Sequence, residues 1–123
     1  MKILKMAFPF PENKIQMISR KKNCGDISLE IKSSKIMIEV KNIEGRVVPK
    51  KDRNKFIKNL EMNSDYTRGL LVSLKSKVDS AVQPEEVQVH HGKKFVFLDR
   101  FSKESESDKA NILKKVIGMI EDN

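Results

Sequence analysis

The sequence predicts an α/β domain, and three observations carry that prediction. Ile27, Leu29 and Ile31 alternate with Ser28, Glu30 and Lys32, and Ile36, Ile38 and Val40 alternate with Met37, Glu39 and Lys41, the pattern of half-buried strands. Phe56, Ile57 and Leu60, and later Ile112, Leu113, Val116, Ile117 and Ile120, recur at the spacing of a helix face. A length of 123 residues supplies one core and no second one, so these strands and helices must share it.

In chain order, residues 1 to 13 hold Phe8, Pro9, Phe10 and Pro11 with little periodicity and read as an extended lead-in, with a first strand expected from Lys14 to Ser19. The two alternating strands follow, joined at Ser33-Ser34 into a hairpin. Pro49 opens a helix whose apolar face is Phe56, Ile57 and Leu60 and whose remaining surface carries Lys51, Arg53, Lys55 and Lys58. Leu70 to Leu74 is a short apolar run after Arg68-Gly69, expected as a buried strand beside the hairpin. Val87 to His91 and Lys94 to Leu98 form a second hairpin pattern, with Gly92 free to take the positive φ of a tight turn. Ser105 or Ser107 can cap a last helix whose stripe from Ile112 to Ile120 reads as core, with a dimer interface as the alternative. The expected organisation is a single domain, with a core over 14–98 and a C-terminal helix over 104–121.

The formal net charge of +8 marks an anion-seeking surface, because basic proteins release counterions when they bind polyphosphates. Nucleic acid heads the expected partners. No apolar run approaches the roughly 20 residues of a membrane span, and the basic opening segment lacks the apolar stretch and cleavage site of a signal peptide, so an intracellular protein, of cytoplasm or nucleus, is expected. The single cysteine, Cys24, excludes an internal disulfide and a cysteine-rich zinc site.

A turn at Ser33-Ser34 would set Ser28 opposite Glu39 and Asp26 opposite Lys41. Opposed residues share a face, so Asp26, Glu39 and Lys41 would converge on the polar side while the isoleucines face the core. Two carboxylates so placed suit a hard divalent cation such as Mg2+ or Mn2+. A neighbouring ammonium can orient a water or stabilise charge building on phosphorus, and phosphodiester hydrolysis needs these parts. Glu30 and Ser28 share the face as possible outer groups.

Gly25-Asp26, then Ile38-Glu39-Val40-Lys41-Asn42, a helix, and the run from Gly69 to Leu74 together resemble the PD-(D/E)XK nuclease superfamily. The resemblance covers roughly residues 14 to 98. It implies a restriction-endonuclease-like core, a mixed sheet flanked by helices, with metal held by Asp26, Glu39 and the backbone carbonyl of Val40, and with Lys41 as the catalytic lysine. It also implies DNA as substrate and makes a homodimer plausible, since cutting duplexes or junctions requires two cuts. Gly25 stands where the family usually has proline. The family's N-terminal helix has no counterpart, which points to a compact variant or part of a larger polypeptide and leaves Glu12 as the candidate extra acidic ligand.

Arg20, Lys21 and Lys22 precede the proposed site, and Lys50, Lys51, Arg53, Lys55 and Lys58 follow it. Such groups hold a phosphate backbone without reading sequence, and Lys55 is favoured to lie over the site. His90 and His91 are expected to point to opposite faces as adjacent strand residues, and Tyr66, Phe95 and Phe97 read as core rather than as base-stacking groups. The expectation is a Mg2+- or Mn2+-dependent deoxyribonuclease with little sequence specificity. The alternative is a non-catalytic nucleic-acid-binding or docking domain of a larger protein.

Overall fold

The computed structural model describes residues 14–17, 26–31, 34–42, 47–76 and 86–121. They form one sheet of strands β1 (Lys14–Met17), β2 (Ile27–Ile31), β3 (Ser34–Lys41), β4 (Arg68–Ser73), β5 (Gln88–His90) and β6 (Lys93–Leu98), in the order β1-β2-β3-β4-β6-β5. Helix α1 (Lys50–Met62) lies between β3 and β4, and helix α2 (Glu106–Glu121) follows a 3-10 turn at Phe101–Lys103. The expected mixed sheet flanked by helices is therefore present. The first three strands are antiparallel neighbours, while β3-β4 and β4-β6 are parallel. Parallel neighbours need a crossover connection, and α1 supplies it between β3 and β4.

The alternation read from the sequence becomes two packed faces. Ile27, Leu29, Ile36, Ile38, Leu70, Val72, Val96 and Leu98 pack with Leu113, Val116, Ile117 and Ile120 of α2. On the opposite face Met37, Leu71, Phe95 and Phe97 pack with Phe56 and Leu60 of α1, together with Val48 and Tyr66. Phe56 meets Phe95 and Phe97 edge-on, at centroid distances of 6.4 and 6.0 Å. Gly69 makes this approach possible, because a Cβ there would stand 2.8 Å from Phe56 Cζ and 2.9 Å from Leu60 Cδ2. Phe95 and Phe97 are core residues, as the alternation implies, and Tyr66 is buried with them.

The hairpin register differs from the expected one by two residues. The outermost pair is Ile31 with Ser34, and Glu30 faces Lys35, whereas a turn at Ser33-Ser34 would have opposed Lys32 to Lys35. Like charges directly opposite destabilise a strand pair, and the observed register avoids the Lys32–Lys35 pairing. A shift of two keeps every side chain on its face. Ser105 is the cap of α2, its Oγ accepting from the Asp108 amide at 3.2 Å. The first strand ends at Met17 among the described residues, and β4 starts two residues earlier than the apolar run. No helix among the described residues is long and apolar enough to cross a membrane.

Candidate functional site

Glu39 and Lys41 are two apart on β3 and so share a face, the one that α1 covers. The polar side of the hairpin is not an open surface: Ser28 and Glu39 are both buried. Lys41 Nζ lies 3.4 Å from Glu39 Oε2. That oxygen is buried and, among the described residues, has no hydrogen-bond partner of good geometry, the Lys41 ammonium acting on it at this distance as an ion pair and a poorly aligned donor.

Asp26 reaches the same place by a different route from the cross-strand pairing with Lys41 that the sequence suggested. The β2-β3 ladder ends at Ile27 with Ile38, and Asp26 sits at a bend beyond it, its own amide donating to the Ile38 carbonyl at 3.0 Å. From the bend its carboxylate folds onto β3, where Oδ2 accepts from the Val40 amide at 2.8 Å. The side chain thus occupies a hydrogen-bonding position that a strand carbonyl would fill in a continued ladder. One carboxylate oxygen is thereby held beside the backbone between Glu39 and Lys41. At Val40, whose carbonyl was expected as a ligand, the recorded contact is this amide.

The electrostatics of Glu39 follow from these neighbours. Burial is the largest influence and raises its pKa above the usual glutamate value; Lys41 opposes the rise, Asp26 adds to it, and Lys55 opposes it more weakly. Lys55, whose side chain is exposed, is the weakest of these influences on Glu39. Lys51, Lys55 and Lys58 are all exposed and, at about 100° per residue, fall within one narrow arc of α1. Arg53 is different: it is buried with Phe56 and Leu60 on the sheet-facing side of α1, and this removes it from the basic surface predicted from the sequence. Helical periodicity decides the matter, since positions 53, 56 and 60 lie on one face.

Arg20, Lys21, Lys22, Glu12, Cys24 and Gly25 lie outside the described residues. Ser73, paired with Lys41 in the parallel ladder, is fully buried and donates to the Ser76 carbonyl at 2.6 Å, tying down the chain as it leaves β4.

A metal role for the adjacent His90 and His91, against which their expected opposite orientation argues, returns in the structure, where Glu61 of α1, His90 of β5 and the turn residue His91 could hold a metal ion. Strict strand alternation would have separated the two histidines. His91, however, has φ 51° and Gly92 φ 78°, so the alternation stops at His90 and the rings come within 4.3 Å of each other. Comparison with protein-family profiles, with curated proteins and with solved structures returns no match for this chain.

Proposed function

We propose that the chain is a divalent-metal-dependent nuclease that hydrolyses DNA phosphodiester bonds with little sequence readout, on a restriction-endonuclease-like core. The supporting observation is the buried Glu39 carboxylate, which has an oxygen with no well-formed hydrogen bond among the described residues, beside an Asp26 carboxylate pinned by the Val40 amide and a lysine at 3.4 Å. An oxygen in that state is costly to keep unless something completes its shell. A hard cation does so, and the all-oxygen donors available suit Mg2+ or Mn2+.

Asp26 and Glu39, with the Val40 carbonyl between Glu39 and Lys41, are the groups that would hold the ion. When bound, it would lower the pKa of a coordinated water and neutralise phosphate charge. Lys41 would place its ammonium against the negative charge that develops as water adds to phosphorus and the P–O bond to the leaving alkoxide breaks. Burial of Glu39 limits water at its carboxylate and would strengthen each of these interactions. Lys55 would engage the phosphate nearest the site, and Lys51 and Lys58 its neighbours along the strand, as contacts that position rather than read sequence. The antiparallel meander, the α1 crossover and the parallel β4 are compatible with the architecture that the family resemblance implies.

The second reading, a docking domain that binds nucleic acid without cutting it, has one observation in its favour. Asp26 takes a hydrogen bond from the Val40 amide and Glu39 an ion pair from Lys41, so the chain itself supplies partners to both carboxylates. Cleavage of labelled plasmid and branched DNA with Mg2+, Mn2+ or EDTA separates the two. Metal-dependent cutting that disappears in Lys41→Ala and in Glu39→Ala is the expected result. Salt-sensitive binding with no cutting by the wild-type chain would replace the nuclease reading with the docking one.

A further inference from the structure

At the other end of α1 lies a group of side chains that the nuclease reading does not use. β5 and β6 pair through His90 with Lys93, leaving His91 and Gly92 as a two-residue turn with both φ values positive. Positive φ at both central positions is the geometry that matches the twist of a hairpin, and histidine is among the side chains that tolerate it. The turn swings the His91 ring beside that of His90, edge to face, with the two planes 89° apart. Both then face Glu61, with His91 Nε2 3.2 Å from Oε1 and His90 Nε2 3.9 Å from Oε2.

We infer that Glu61, His90 and His91 form a binding site for a borderline divalent transition metal of the zinc class, separate from the acidic pair at Asp26 and Glu39. Three arguments carry this. One ligand atom from each residue lies within 4.8 Å of the others. With metal–nitrogen and metal–oxygen bonds of about 2.0–2.2 Å, ligand atoms on a tetrahedral ion stand about 3.3–3.5 Å apart, so the His91–Glu61 separation already matches and the others close by side-chain rotation. Two imidazoles and one carboxylate also select the zinc end of the first-row series over Mg2+, which prefers oxygen alone and keeps its waters. Lastly, the backbone is fixed in advance. Lys93, on β6, donates to the carbonyls of Leu60, Glu61 and Asn63, so the helix end that carries Glu61 is tied to the hairpin that carries the histidines.

The two proposed sites stand at opposite ends of the parallel strands. Glu39 is level with Leu71 and, through it, Phe97, whereas Lys93 precedes the first β4-β6 pair, Arg68 with Lys94. An ion here would bind with exchangeable positions open to solvent, because all three side chains are exposed. Its immediate effect would be to clip the C-terminus of α1 to the β5-β6 turn.

Zn2+ titrated calorimetrically into the full chain, in excess Mg2+ to fill any hard-cation site, tests the inference. One Zn2+ per chain is expected, with a rise in the thermal unfolding midpoint. His90→Ala and His91→Asn should each weaken binding by at least about tenfold, the loss typical of even an outer-shell partner; asparagine keeps the left-handed turn while removing the imidazole. Asp26→Asn and Glu39→Gln should leave Zn2+ affinity unchanged. Metal-free unfolding midpoints of His90→Ala and His91→Asn near wild type show that these two variants fold, as their exposed positions predict. No saturable Zn2+ binding by the wild type, undiminished binding by the His90→Ala/His91→Asn double variant, or binding lost only in the acidic-pair variants would each overturn the assignment.

Discussion

Glu39 carries opposite demands at a single residue. Its burial raises the carboxyl pKa, so the folded state binds a proton there more tightly than the unfolded chain does. The associated stability is full at pH below the ordinary glutamate value and is lost as pH rises through the raised one. In metal-free buffer, Glu39→Gln should therefore unfold a few degrees higher than wild type at pH 7 and flatten the stability profile just above the ordinary glutamate range; thermal melts over a pH series check this. A gain in stability from removing a group central to the proposed activity is the pattern of a strained functional site. Lys41 should behave in the opposite sense. Lys41→Met leaves Glu39 without its nearest cation at 3.4 Å and should lower the unfolding midpoint at pH 7.

At the scale of elements, the two helices share a device that neither contains. Neither has a basic residue in its last turn, although a helix C-terminus favours cations. Both receive one from the sheet: Lys93 donates to the terminal carbonyls of α1, and Arg68 Nε donates to the Ile120 carbonyl of α2 at 2.8 Å. Arg68 also reaches Ser34 Oγ at the start of β3. Lys93→Met keeps the apolar stem and removes the donors, and should cost about 1–2 kcal/mol in urea unfolding, the worth of hydrogen bonds from one charged group. Packing of α1 on the sheet depends equally on Gly69. Gly69→Ala places a methyl against Phe56 and Leu60 and should cost about 1–3 kcal/mol, the penalty of overpacking a filled core.

At the scale of the molecule, a net charge of +8 is concentrated to useful effect where Lys51, Lys55 and Lys58 line one exposed arc of α1 and Lys55 lies within electrostatic reach of Glu39. Burial of Arg53 narrows that surface without breaking it. If the arc holds a duplex backbone, replacing the three lysines by alanine should lower the slope of log affinity against log salt by about 2–3, since each phosphate contact contributes about 0.9. Fluorescence anisotropy of a labelled duplex across a salt series measures it. An unchanged slope would move the binding surface elsewhere.

The sequence by itself determined which residues become strands and helices, because periods of 2.0 and 3.6 are written in the apolar positions from Ile27 to Val40 and from Ile112 to Ile120. It likewise determined that Glu39 and Lys41 share a face, a consequence of their spacing alone. It did not determine how Asp26 joins them, since that depends on a bend past the last ladder pair and on a side-chain contact with Val40, 14 residues away. Nor could it show that Glu39 and Arg53 are buried, or that Lys93 and Arg68 cap helices 30 and 52 residues away. His90 and His91 show the limit most directly. Alternation assigns them to opposite sides, and only the positive φ of a two-residue turn, together with the docking of α1 against the hairpin, brings them to Glu61. Periodicity is local and therefore legible in one dimension. Register, burial and the meeting of side chains remote in sequence are settled by packing, where charge pairing across strands and the fit of Phe56 over Gly69 choose among arrangements that the pattern alone permits.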